Sequence, residues 1–109
     1  MECRKAERVA IRAVKRVGKL LLENYGSGVL IQRKKKFDFR ADVDELAEEM
    51  MIDILRKETN FQILSEESGK RVTNDSQFLW LIDPLDGTLN YVKMIPFFST
   101  ALALLHNDK

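Results

Sequence analysis

The run Phe78-Leu79-Trp80-Leu81-Ile82, continuing directly into Asp83-Pro84-Leu85-Asp86-Gly87-Thr88, constrains this 109-residue chain more than any other feature. Five apolar residues in a row read as a strand covered on both faces. Such a strand delivers Asp83 to a sheet edge, where loops build sites on a rigid frame. Proline removes a backbone donor and fixes φ, so the chain is expected to turn at Pro84. That turn brings Asp83, the Leu85 carbonyl and Asp86 to one side. Three converging oxygens suit a hard cation, and magnesium prefers oxygen ligands with some water retained. Gly87 permits close backbone approach and Thr88 supplies a hydroxyl. A helix opening there would turn free N–H groups toward an anion such as phosphate. In isolation the same hexapeptide is equally a β-turn followed by a helix cap.

The rest of the chain supplies the layers. Ala6, Val9, Ala10, Ala13, Val14, Val17, Leu20 and Leu21 recur at three- and four-residue spacing and predict an amphipathic helix over 4–24. Arg8, Arg12, Lys15, Arg16 and Lys19 occupy its other faces, and Gly26-Ser27-Gly28 is expected to end it. A short apolar piece, Val29-Leu30-Ile31, leads into Arg33-Lys34-Lys35-Lys36. Asp42 followed by Glu45 has capping-box spacing and predicts the start of a second helix, with Val43, Leu46, Ala47, Met50, Ile54 and Leu55 as its buried stripe and its end near Lys57. Residues Phe61 to Leu64, Phe78 to Ile82 and Phe97 to Leu105 read as strands, and Gly69 to Gln77 as a polar loop. The expected fold class is α/β (α+β layered): two long helices packed on one side of a mainly antiparallel sheet.

Composition excludes several classes. With 45% hydrophobic and 32% charged residues, and no apolar run near the ~18 residues that span a bilayer, the chain reads as a globular protein with no membrane partner. Charges at Arg4, Lys5, Arg8 and Arg12 interrupt any signal-peptide core, and a single cysteine, Cys3, fits a reducing compartment, so a cytoplasmic location is expected. Net charge is +1, but residues 1–40 hold twelve Lys/Arg against four Asp/Glu, and residues 41–109 hold six against thirteen. An acidic segment that folds needs its carboxylates solvated, paired or bound to cations. The basic segment has only Tyr25 and Phe37 near it as base readers, so nucleic acid is not an expected partner and a solvated helix face accounts for it.

Three stretches together, Asp38-Phe39-Arg40-Ala41-Asp42-Val43-Asp44, Ile63-Leu64-Ser65-Glu66-Glu67-Ser68-Gly69 and Trp80 to Tyr91, occur in the order seen in a known family. The chain resembles the inositol monophosphatase and fructose-1,6-bisphosphatase superfamily along its whole length. The resemblance implies the N-terminal half of a layered αβαβα sandwich, with residues 1–109 as its metal-binding half and the C-terminal half absent. It implies Mg²⁺ as cofactor, inhibition by lithium, a phosphate-ester substrate such as inositol monophosphate or a related sugar phosphate, and a homodimer. Residue by residue, it implies that Glu66, Asp83 and the Leu85 carbonyl hold one Mg²⁺, and that Asp83 and Asp86 share a second. Thr88, oriented by Asp44, would position or deprotonate the attacking water, and Asp86 with the Gly87 and Thr88 N–H groups would bind substrate. The sequence departs from the family pattern at Ala41, Ser65 and Met94, where Thr, Gly and Gly are frequent. No residue here stands for the later Trp-Asp motif of the family, whose aspartate completes the second metal site. The competing expectation is a non-catalytic binding or assembly module that uses its basic N-terminal face to engage RNA or an acidic protein.

Overall fold

The computed structural model describes residues 2–24, 39–66, 68–86 and 99–107. Helix α1 covers Glu2–Asn24 and helix α2 covers Phe39–Glu58. Four strands follow: β1 (Gln62–Ser65), β2 (Arg71–Val72), β3 (Phe78–Asp86) and β4 (Ser99–His106). They form one mixed sheet in the order β2-β1-β3-β4. The β1–β2 and β3–β4 pairs are antiparallel, while β1 and β3 run parallel. The helices pack on each other, α2 over β3 and α1 over β4, which is the expected layered α+β arrangement.

The apolar stripes do the packing. Ala6, Val9, Ala13, Val17 and Leu21 of α1 are buried against Ala47, Met51 and Leu55 of α2 and Ile63, Trp80, Ile82 and Leu85 of the sheet. Trp80 is 1% exposed, and its indole N–H still finds a partner, donating to Thr59 Oγ1 at 3.0 Å. A buried indole without an acceptor would lose its hydration for nothing, so this bond lets the largest core side chain sit inside.

Four local expectations need correction. Helix α2 starts at Phe39, three residues ahead of the predicted cap, so Asp42 lies inside the helix; Arg40 and Ala41 are strong helix formers and extend it backward. The polar stretch 69–77 contains strand β2, which alternation could not reveal in two residues. A tight return makes it: the Gly69 N–H donates to Ser65 O at 2.8 Å and the Ser65 N–H to Lys70 O at 2.9 Å, with Gly69 at φ 78°. That φ is one that glycine adopts without steric cost. Met51, not predicted in the stripe of α2, is fully buried.

Pro84, finally, does not turn the chain. Strand β3 runs on through Asp86, and the pairing slips: Asp83 opposes Ala101 while Asp86 opposes Ser99, three steps on one strand against two on the other. The extra residue is a bulge, which absorbs a proline because a bulge already interrupts the ladder. Thr100 Oγ1 donates to the Pro84 carbonyl at 2.8 Å and ties the bulge to β4. The expected helix stop at 26–28, the basic run 33–36 and the residues 87–98 lie outside the described residues.

Candidate functional site

Parallel pairing of β1 and β3 places their C-terminal ends on one sheet edge. The register Ser65↔Ile82 puts Glu66 and Asp83 next in line on neighbouring strands, and the Glu66 N–H donates to Ile82 O at 3.2 Å. Helix α2 brings Asp44 to the same edge. Asp44, Glu45 and Glu48 of α2, Ser65 and Ser68 of the β1–β2 turn, and Asp83, Pro84 and Leu85 of the bulge line a cavity of about 220 Å³. Of the residues singled out in the sequence, Asp44, Asp83 and Leu85 are thus brought together. Glu66 and Asp86 are exposed at this edge and are not among the lining residues. Gly87, Thr88 and Glu67 lie outside the described residues. Among the described residues no three His, Cys, Asp or Glu side chains form a metal cluster. The polar side chains among the lining residues, Asp44, Glu45, Glu48, Ser65, Ser68 and Asp83, nonetheless carry only oxygen donors, and that set suits a hard cation which keeps part of its water.

Sequence reasoning missed Glu48. It is 6% exposed, and its Oε2 accepts from Ser65 Oγ and from Ser68 Oγ, each at 2.5 Å, while Lys70 Nζ lies 3.4 Å from Oε1. The signal was present: an acid at the i+4 position from Asp44, inside the stripe formed by Ala47, Met51 and Leu55. Burial pushes the Glu48 carboxyl up, but the hydrogen bonds from Ser65, Ser68 and Lys70 and the Lys70 charge outweigh it, so the group titrates below its ordinary value. A carboxyl depressed on folding stabilises the protein above its unfolded pKa, and that stability disappears as pH falls through the lower folded value. Acid titration of thermal unfolding below pH 5 should therefore be flatter in Glu48→Gln than in wild type. An identical slope would show that Glu48 gains no such interactions on folding.

Comparison with known proteins now bears on the site. The sequence pattern of the inositol monophosphatase family matches residues 2–109. The chain is 37% identical over 99 residues to Nus factor SuhB of Escherichia coli (strain K12), spanning 88% of this chain and 37% of that protein, and equally so to the Salmonella typhimurium (strain LT2) protein of that name. The crystal structure of extragenic suppressor protein suhB from Bartonella henselae superposes with TM-score 0.79 at 32% identity, over 95% of this chain and 40% of that one. Inositol monophosphatase from Anabaena (Nostoc) sp. PCC 7120 gives TM-score 0.73 at 31% identity, over 98% of this chain and 37% of that one. The chain therefore spans little more than a third of the length of these relatives. A match over essentially every residue, on the same fold, shows that the chain belongs to the inositol monophosphatase family.

Proposed function

We propose that these residues form the metal-binding part of a Mg²⁺-dependent phosphomonoesterase acting on inositol monophosphate or a related sugar phosphate. The observation that supports this most is the meeting of Asp44, Asp83 and Leu85 around one oxygen-lined cavity at the end of the parallel strand pair. In this reading Glu66, Asp83, the Leu85 carbonyl and Asp86 hold the cation positions. Bound there, Mg²⁺ would lower the pKa of a water and neutralise charge on the phosphoryl group. Asp44 accepts the proton network that orients Thr88 toward the attacking water, and Asp86 with the Gly87 and Thr88 N–H groups aligns the ester for in-line displacement. Calorimetric titration with Mg²⁺ of wild type and Asp83→Asn tests it; a chain that binds no Mg²⁺ would remove the reading.

A second, compatible reading rests on α1. At 100° per residue, Arg4, Lys5, Arg8, Arg12, Lys15, Arg16 and Lys19 fall within an arc of about 120° that runs for about 22 Å. All seven are exposed, and Arg12 also pairs with Glu58 at 3.0 Å. The missing base readers argue against sequence recognition, but backbone binding needs only such a row of cations. A single-stranded RNA serves as the polyanion probe. Single-stranded RNA should bind with a steep salt dependence, and Arg8→Ala with Arg16→Ala should lower the slope of log K against log salt by about 1.4. An unchanged slope, or no binding at low salt, would leave α1 as a solvated face.

A further inference from the structure

Glu48 is the buried charge that the proposed chemistry leaves unused. It sits one helical turn beyond Asp44, on the side of α2 that faces the sheet. Its single oxygen Oε2 takes hydroxyl protons from both ends of the turn that carries Glu66: Ser65, 1% exposed, just before it, and Ser68 two residues after. The turn is closed by its own backbone bonds, Gly69 N–H to Ser65 O and Ser65 N–H to Lys70 O, and the Lys70 N–H donates to Ser68 Oγ at 3.1 Å. Those bonds shape the turn but do not fix it to the helix. Among the described residues, the hydrogen bonds from Ser65 Oγ and Ser68 Oγ join this turn to α2, and both end on Glu48. Lys70 Nζ, half exposed, adds a longer contact to the other oxygen.

We propose that Glu48 is a positioning residue: it fixes the Glu66-bearing turn against α2, and so sets where the Glu66 carboxylate stands relative to Asp83 and Asp44. The inference rests on the metal site proposed above, but its geometry does not. Ser65 strengthens it. Its hydroxyl, on a residue 1% exposed, supplies a second donor to Glu48 from inside the core. A carboxylate accepts two hydroxyls at one oxygen more strongly than a neutral amide does, because both bonds are charge-assisted. Partners that orient a metal's ligands typically change its affinity by about 10-fold to 100-fold when removed.

The test combines two readouts on the 109-residue chain and its Glu48→Gln, Glu48→Ala and Ser65→Ala/Ser68→Ala variants. The first is metal-free: amide hydrogen exchange at Glu66 and Gly69, compared with Trp80 and Ile82 in the core strand. The second is Mg²⁺ affinity by calorimetry on folded protein. We expect faster exchange confined to the turn, and Mg²⁺ binding weakened about 10-fold or more in Glu48→Ala, with Glu48→Gln between it and wild type. A role in stability alone would lower the unfolding temperature and leave the affinity of the folded fraction unchanged, which would overturn the proposal. Unchanged exchange at Glu66 and Gly69 would overturn it whatever the metal does. Wild type that binds no Mg²⁺ would sink the metal-site reading instead, and the exchange data would still decide the clamp. If Glu48→Ala does not fold, the serine double variant, which keeps the carboxylate, carries the same two comparisons.

Discussion

Asp83→Asn is expected to weaken Mg²⁺ binding by more than about tenfold, the largest effect of any single substitution at this site. Two carboxylates that line the cavity, Asp44 and Asp83, come from different elements and face the same space. Affinity for a hard divalent cation depends on the number of charged oxygens and the rigidity of their support. Asp83 has both: it is half-buried, at the last regular pair of β3 before the bulge, opposite Ala101. Asparagine keeps the shape and one oxygen, so the fold should survive, with an unfolding temperature close to wild type. The lost quantity is the charge. Calorimetric titration of both proteins with Mg²⁺ reads it directly, and equal affinity would mean that Asp83 is no ligand. Glu66→Gln and Asp86→Asn belong in the same series. Both residues are exposed at the same edge, and a loss in either would place its carboxylate on the cation.

The apolar run 78–82 and the stripe of α1 announced a strand and an amphipathic helix because each is a local pattern, but cover on both faces of the strand did not follow: Trp80 and Ile82 are buried while Phe78, Leu79 and Leu81 are only half-buried. The layered α+β arrangement followed from them, and the family motifs pointed to the edge where β1, β3 and α2 meet. What stayed hidden depends on residues far apart in the chain. Strand β2 exists because a glycine turn folds two residues back onto β1, not because Arg71 and Val72 look like a strand. The proline suggested a turn, yet β4 held the chain extended and the misfit became a bulge. Glu48 is seventeen residues from Ser65 and twenty from Ser68, so its role is invisible to periodicity. Read along the helix it is only an acid in the wrong place, and a buried acid needs donors. Had that demand been followed, the hydroxyls of Ser65 and Ser68 were the nearest motif residues able to meet it.

Assayed alone at saturating Mg²⁺, these 109 residues should release phosphate from inositol monophosphate at least about a hundredfold more slowly than a relative of full family length, such as the Anabaena inositol monophosphatase. The chain spans 37% of that relative. The carboxylates described at the site belong to one sheet edge and one helix, which is enough donors for one hard cation with water completing its shell. Phosphoryl transfer has little covalent chemistry for a protein to perform; its rate comes from alignment and from charge placed against the transferring group and the leaving oxygen. The resemblance assigns the leaving-group side to an aspartate in a Trp-Asp motif that none of these residues supplies. With the proposed roles of Asp44 and Thr88, a site that holds the water but does not stabilise the departing alkoxide should keep binding and lose turnover. The assay therefore needs both numbers: Mg²⁺ affinity retained, phosphate release reduced. Lithium should inhibit the full-length relative if the resemblance holds. Comparable rates from the two proteins would mean that one edge of the sheet suffices for the reaction and that the assignment of a second cation is wrong.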